Sequence, residues 1–150
     1  MIGLSDLRFD TTQVGGIFYD SYAGALPLVG TTPVIRVYSL GSGFSEDVYD
    51  KAMQVGLRLS GINYESQKVI ALKYKDHHVG EGYPDLVVRL ERGKLVIELK
   101  AVGSEMGSAE EQQLRNYMKI LNINHGLLIN FQQPGRRKSK TTLEFKEVRL

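Results

Sequence analysis

Among the charged side chains between residues 82 and 102, two carboxylates, Asp85 and Glu98, and one ammonium, Lys100, have the types and the spacing that can do chemistry. The segment reads as two apolar strands joined by a tight turn, which places the three charges at one end of a hairpin. Neighbouring carboxylates repel each other unless a cation lies between them, and their hard oxygen atoms suit Mg²⁺ or Mn²⁺. The segment therefore predicts a metal site with a lysine beside it.

The turn decides which residues of the hairpin face each other. With Arg92-Gly93 as its centre, Asp85 lies opposite Lys100 and Val87 lies opposite Glu98. Side chains alternate between the two faces of a strand, so one face is wholly apolar and predicts the core side. Its residues are Leu86, Val88, Leu90, Leu95, Ile97 and Leu99. On this geometry alone, a solvent-facing polar side with an Asp–Lys pair is an equal alternative.

A metal held by Asp85 and Glu98 would bind a phosphate oxygen and lower the pKa of a bound water. Lys100 would orient that water or offset the charge that builds up on the phosphorus. The pattern therefore indicates hydrolysis of a phosphate ester.

The elements that must position these residues follow from periodicity. An apolar stripe with three- and four-residue steps predicts a helix over residues 45–59, ended by Gly61. A second helix is predicted over residues 108–121, with Ser108 and Glu111 as a capping box. Residues 62–88 read as strand, turn and strand, and further strands are predicted at 95–102, 124–131 and 141–150. The order favours the α/β class, with a mixed central sheet of four or five strands flanked by helices.

Composition sets broad limits. The chain has 150 residues, 42% of them hydrophobic, and no cysteine, which favours one globular domain and an intracellular, cytoplasmic protein without disulfides or Cys-based metal sites. We expect no membrane association and no signal peptide, since no long apolar run and no basic-then-apolar leader is found.

The net charge of +2 is unevenly distributed. A basic cluster near the carboxyl end predicts contacts with a polyanion. It comprises Arg136, Arg137, Lys138 and Lys140. A solvated turn or tail is the plain alternative.

At this point the residues resemble a known family. "YPD" followed by "ELK" resembles the P-D…(D/E)-x-K signature of the PD-(D/E)XK nuclease superfamily. "GFSEDVY" gives G-x-x-E-x-x-Y over residues 43–49, and "QLRNY" gives Q-x-x-x-Y over residues 113–117. Together they are similar to the GxxExxY family, whose core is like that of RecB-type exonuclease domains. The resemblance covers residues 34–133, and Pro33 and Gly41 break the helix that usually precedes the first motif.

The resemblance implies a Mg²⁺- or Mn²⁺-dependent nuclease that acts on DNA and has a restriction-endonuclease-like fold. The nuclease domain would span residues 34–150, after an irregular extension over residues 1–33. Asp85, Glu98, the Leu99 carbonyl and Glu46 would hold the metal, and Lys100 would be the catalytic lysine. A small nuclease of this kind favours a homo-oligomer that embraces a duplex. A supporting or substrate-positioning role falls to Gln113, Tyr117 and Tyr49.

Each of these residues also has a plainer interpretation. Glu46 is an acid suited to the first turn of a helix, and Tyr49 and Tyr117 are aromatic residues suited to the edge of a core. Two other functions stay open: a non-catalytic nucleic-acid-binding or accessory protein that keeps the fold, and a structural protein whose hairpin charges are incidental.

Overall fold

The computed structural model of the chain describes residues 8–9, 34–35, 43–59, 61–90, 93–131, 133 and 143–150. Two helices and nine strands lie in these ranges. In chain order they are β1 (Arg8–Phe9), β2 (Val34–Ile35), α1 (Glu46–Leu59), β3 (Asn63–Ser66), β4 (Ile70–Tyr74), β5 (His77–Gly82), β6 (Leu86–Leu90), β7 (Gly93–Lys100), α2 (Ser108–Leu121), β8 (His125–Phe131) and β9 (Leu143–Arg149).

Five strands form the central sheet, in the order β3-β6-β7-β8-β9. The β7–β8 pair is parallel and the other pairs are antiparallel. The parallel pair requires a crossover, and α2 supplies it. The predicted α/β class and the mixed sheet of four or five strands are therefore confirmed.

The two helices cover opposite faces of the sheet. Tyr49, Met53 and Leu57 of α1 pack on one face, and Leu114 and Met118 of α2 pack on the other. Every residue from 95 to 99 in β7 and from 126 to 131 in β8 is buried. Central strands that are covered on both sides favour continuous apolar runs, so the one acid in this part of β7 stands out.

The predicted register of the β6–β7 hairpin is wrong by two residues. Val87 faces Val96 rather than Glu98, and the same register places Asp85 opposite Glu98 rather than Lys100. The strands are joined through residues 91 and 92, one position earlier than predicted. Moving a turn by one residue shifts the pairing by two, which leaves each side chain on its predicted face. The predicted apolar face is confirmed, because its six residues lie in or against the core under α1.

Residues 62–88 hold four strands rather than the two that the sequence predicted. The additional strands, β4 and β5, pair only with each other and form a separate antiparallel hairpin. Its tight turn has Lys75 and Asp76 at its centre, both with positive φ. We call residues 70–82 the hairpin arm.

The predicted bounds of α2, residues 108–121, are confirmed, but the predicted capping residues are each one position too late. Gly107, not Ser108, occupies the position before the first turn, and its N–H donates to the Glu110 carboxylate at 2.9 Å. Glu111 is thereby free for another role and forms an ion pair with Lys146 of β9. That pair fastens α2 to the edge of the sheet.

Two predicted segments lie outside the described residues: the extension over residues 1–33, apart from β1, and the basic cluster at 136–140. β1 pairs with β2 in parallel. No helix in the described part of the chain is long and apolar enough to cross a membrane.

A close approach between α2 and β8 gives a test of the packing. A Cβ atom added at Gly126 would clash with Met118 Sδ and lie 3.1 Å from both methyl carbons of Leu114. We expect Gly126→Ala to lower the free energy of unfolding by about 1–3 kcal/mol, because an overpacked core must shift. Urea denaturation measures this. Gly80→Ala is the matched control, since its Cβ would meet only Leu72 at 3.9 Å, and equal losses in the two variants would contradict the packing.

Candidate active site

The charged residues that the sequence singled out meet at one end of the central sheet. Asp85 directly precedes β6, and Glu98 and Lys100 lie among the last three residues of β7. Glu46 is the first residue of α1. The site is therefore assembled from two adjacent strands and the amino end of one helix.

Asp85 is bound to the neighbouring strand by its side chain. Its Oδ2 accepts the Leu99 N–H at 2.8 Å, and its own N–H donates to Glu98 Oε1 at 3.2 Å. Its main-chain carbonyl accepts the Gln67 N–H at 3.0 Å. Burial raises the pKa of Asp85, while the Leu99 hydrogen bond and Lys100 act in the opposite direction. Asp85 is thus fixed beside Glu98 in a partly dry environment.

Glu98 is a carboxylate in the core of the sheet, with 2% of its surface exposed. Burial, and secondly the Asp85 carboxylate, raise the pKa of Glu98 to about 8. The alternative of a solvent-facing polar hairpin is thereby excluded, because this face is covered by α2 and holds the buried Val87 and Val96. Glu98 keeps its proton at neutral pH unless a cation balances its charge.

Lys100 and Glu46 face each other across the mouth of the site. The Lys100 Nζ lies 4.0 Å from Glu46 Oε1, and 22% of the lysine side chain is exposed. Burial raises the pKa of Glu46, the lysine lowers it and Asp85 raises it, so the three groups share one electrostatic environment. The structure thus brings together all four residues predicted as catalytic.

Asp50 is a further acid near the site that the sequence reasoning missed. Burial raises the pKa of Asp50, and the Asp85 carboxylate adds to the effect. Its Oδ2 accepts a hydrogen bond from Gln54, whereas its buried Oδ1 has no hydrogen-bond partner among the described residues. Its spacing of four residues from Glu46, which places both on one face of α1, was the available signal.

The donor set fits a divalent cation. Asp85 and Glu98 present hard oxygen atoms side by side. The pKa of each is raised, and a bound cation would lower it again. Within the described residues, no three His, Cys, Asp or Glu side chains come close enough to hold a metal by themselves. The remaining ligands would be a main-chain carbonyl, for which Leu99 was predicted, and water or substrate.

The three residues of the G-x-x-E-x-x-Y motif have separate physical roles. Gly43 has φ of +103°, which favours glycine, and its N–H donates to Gln133 Oε1 at 2.7 Å. Tyr49 is buried and stacks on Phe131 with ring centroids 4.4 Å apart. Tyr49 therefore packs in the core and supports α1, whereas Glu46 between them reaches the site.

Gln113 and Tyr117 lie beside the hairpin arm. The Gln113 Nε2 donates to the Tyr117 hydroxyl at 3.1 Å, and a Cβ added at Gly82 would lie 2.7 Å from the Tyr117 ring. Nothing in their contacts joins them to the carboxylates, so their predicted substrate-positioning role stays a prediction. The basic cluster at 136–140 lies outside the described residues.

The geometry is that of a mixed sheet with P-D before one strand and E-x-K at the end of the next, between two helices. A sequence profile of the PD-(D/E)XK nuclease superfamily matches residues 31–142, and the chain belongs to that superfamily. Its fold is accordingly restriction-endonuclease-like.

Similarity to a solved structure agrees with this fold. The crystal structure of SSO0001 superposes with a TM-score of 0.51 at 18% identity, over 69% of this chain and 50% of that one. The chain thus spans about half the length of that protein. No curated protein matches the chain.

The buried Glu98 predicts an unusual dependence of stability on pH. Its pKa is about 8 in the folded state and 4.5 ordinarily, so between these values the folded state binds a proton that the unfolded state has lost. Stability should therefore fall as pH rises through this window, by up to about 1.4 kcal/mol per pH unit. Glu98→Gln removes this titration. The free energy of unfolding of this variant, relative to that of wild type, should therefore increase with pH. Urea denaturation without divalent metal measures it.

Glu65→Gln is the matched control, because its effect has the opposite sign. Hydrogen bonds from Lys68 and Arg89 lower the pKa of Glu65, so its contribution is present above the ordinary value and lost only in acid. Its substitution should leave the slope between pH 4.5 and about 8 unchanged. Curves of unfolding free energy against pH that run parallel for wild type and Glu98→Gln would contradict a buried Glu98 with a raised pKa.

Proposed function

We propose that the protein is a Mg²⁺-dependent nuclease that hydrolyses phosphodiester bonds of DNA. The observation that carries this proposal is the pair of adjacent carboxylates, Asp85 and Glu98, with the Lys100 ammonium at the same end of β7. Burial raises the pKa of both carboxylates, which is typical of groups selected for chemistry rather than for stability. Membership in a nuclease superfamily supports the same reaction class.

Each residue of the site has a role that follows from its position. Asp85 and Glu98 hold the cation, with the Leu99 carbonyl as a third ligand. When bound, a divalent cation lowers the pKa of a water and stabilises negative charge on phosphate. Lys100 orients the attacking water or offsets the charge on the phosphoryl oxygens. Glu46 lies 4.0 Å from the ammonium of Lys100 and offsets part of its charge, or completes the ligand set as the resemblance implies.

We assign the chain more narrowly to the GxxExxY type, with its nuclease domain over residues 34–150. Support comes from the way the motif begins α1: a glycine with positive φ, an acid facing Lys100 and a tyrosine buried against Phe131. Each position thereby has a physical reason for its residue type.

Asp85→Asn and Lys100→Ala test the proposal. Both should lower the rate of DNA cleavage at least about hundredfold, because each removes a group that stabilises the transition state. Isothermal titration should show Mg²⁺ or Mn²⁺ binding to wild type and to Lys100→Ala, but not to Asp85→Asn. Circular dichroism establishes that the variants are folded.

Asp47→Asn is the control, since it removes an exposed acid next to Glu46 whose ion-pair partner among the described residues is Lys51. It should leave cleavage and metal binding unchanged. Metal-dependent cleavage that persists at full rate in Asp85→Asn would overturn the proposal. Nucleic-acid binding without metal binding or cleavage by wild type would instead indicate an accessory protein that keeps the fold.

A further inference from the structure

The hairpin arm stands apart from the rest of the fold. β4 and β5 pair with each other, not with the central sheet, and Ile70 and Gly82 at the base are its only buried residues. The base is fixed, because Gly82 lies against the Tyr117 ring and leaves no room for a Cβ. The outer part of the arm therefore contributes little to the core, and its residue types need another explanation.

The outer part combines exposed apolar groups with cations. Tyr74 and Val79 are 65% and 63% exposed. The Lys75 Nζ lies 5.5 Å from the centroid of the Tyr74 ring, so a cation and an aromatic surface are adjacent. Within the described residues, neither Lys73 nor Lys75 forms an ion pair with a carboxylate. An exposed aromatic ring next to lysines is typical of surfaces that bind single-stranded nucleic acid.

The tight turn of the arm has residues that do not favour its conformation. Lys75 and Asp76 have φ of +48° and +65°, values at which Asn and Gly are strongly preferred in a two-residue hairpin turn. Positive φ at a lysine costs free energy that the neighbouring structure must offset. A lysine at this position therefore indicates a use for its side chain outside folding.

The arm also leads directly into the site. Its last residue, Gly82, is three residues from Asp85, a span of at most about 11 Å. The site itself has three acids, Glu46, Asp85 and Glu98, and one ammonium, Lys100. Without added cations it therefore attracts phosphate only weakly. The five residues of β4 extend about 17 Å from the base of the arm; Lys73 lies in this strand and Lys75 in the turn that follows it.

We propose that the hairpin arm binds an unpaired stretch of the nucleic acid next to the bond that is cut. Tyr74 stacks on a base, and Lys73 and Lys75 contact phosphates. The strand must be unpaired there, because the faces of bases inside a duplex are already stacked on their neighbours. This inference rests on the proposed function and names the part of the substrate that the arm holds.

Fluorescence anisotropy tests the stacking. Binding of a single-stranded oligonucleotide is measured with Mg²⁺ in the Lys100→Ala background, which prevents cleavage. Adding Tyr74→Ala should weaken binding about tenfold, within the range for loss of one stacked base. Tyr74→Phe keeps the ring and should bind like its parent, and blunt duplex should bind equally well to all three. Tyr74 is exposed, so these variants should fold, which thermal unfolding checks.

The salt dependence tests the phosphate contacts. Each phosphate contact contributes about 0.7 to the slope of log K against log salt for a single strand. The double variant Lys73→Gln/Lys75→Gln should therefore lower the magnitude of the slope by about 1.4. Lys51→Gln/Lys94→Gln is the control of equal charge, with both lysines exposed and outside the arm, and its slope should equal that of the parent.

The outcomes separate the two proposals. Loss of single-strand affinity in Tyr74→Ala, together with the reduced slope, supports the arm as the binding element. Wild type that cleaves DNA while the arm variants bind like the control overturns this inference and leaves the nuclease intact, with the exposed face then open to a protein partner. Failure of wild type to bind or cleave any nucleic acid overturns both.

Discussion

The site depends on one hydrogen bond between a side chain and a strand. The Asp85 carboxylate accepts the Leu99 N–H, at the position where a main-chain carbonyl would otherwise continue the ladder between β6 and β7. This contact ends the regular pairing at Leu86 and keeps the two chains together beyond it. It also brings Asp85 next to Glu98, since the Asp85 N–H donates to the second carboxylate. The carboxylate pair is thus a consequence of the way in which the strand pairing stops.

The same arrangement is unfavourable for the isolated fold. Glu98 is buried among apolar residues, and burial raises the pKa of Glu46, Asp50, Asp85 and Glu98 alike. One ammonium, Lys100, stands against these four acids at the mouth of the site. Apolar side chains would give a more stable strand end, so the stability of the fold does not explain the acids. The divalent cation proposed for this site would remove the conflict.

The sequence predicted what depends on periodicity and missed what depends on turns. The faces of β6 and β7, both helices and the mixed sheet follow from the spacing of apolar residues, and the structure confirms them. The register of β6 and β7 was wrong because moving a turn by one residue along the chain leaves the periodicity of both strands unchanged. The hairpin arm was missed because its outer strands bury almost nothing and so carry no alternation of apolar and polar residues. Asp50 was missed because its neighbour Asp85 is distant in sequence.

The end of β8 explains how residues from separate elements keep their positions. Asn130 pairs with Lys100 in the parallel ladder, and its buried side chain binds both the N–H and the carbonyl of Val102 and the carbonyl of Ser104. The chain that follows Lys100 is thereby fixed on one side.

On the other side, Phe131 and Gln133 hold the start of α1. Phe131 stacks on Tyr49, and Gln133 accepts the Gly43 N–H and donates to the Tyr49 hydroxyl. The end of β8, together with Gln133, therefore fixes both the strand end that carries Lys100 and the helix start that carries Glu46. Because both are fastened to Asn130, Phe131 and Gln133, which are close together in the chain, their separation is set by this segment rather than by their own ion pair. An ion pair of 4.0 Å between partly exposed groups is too weak to do this alone.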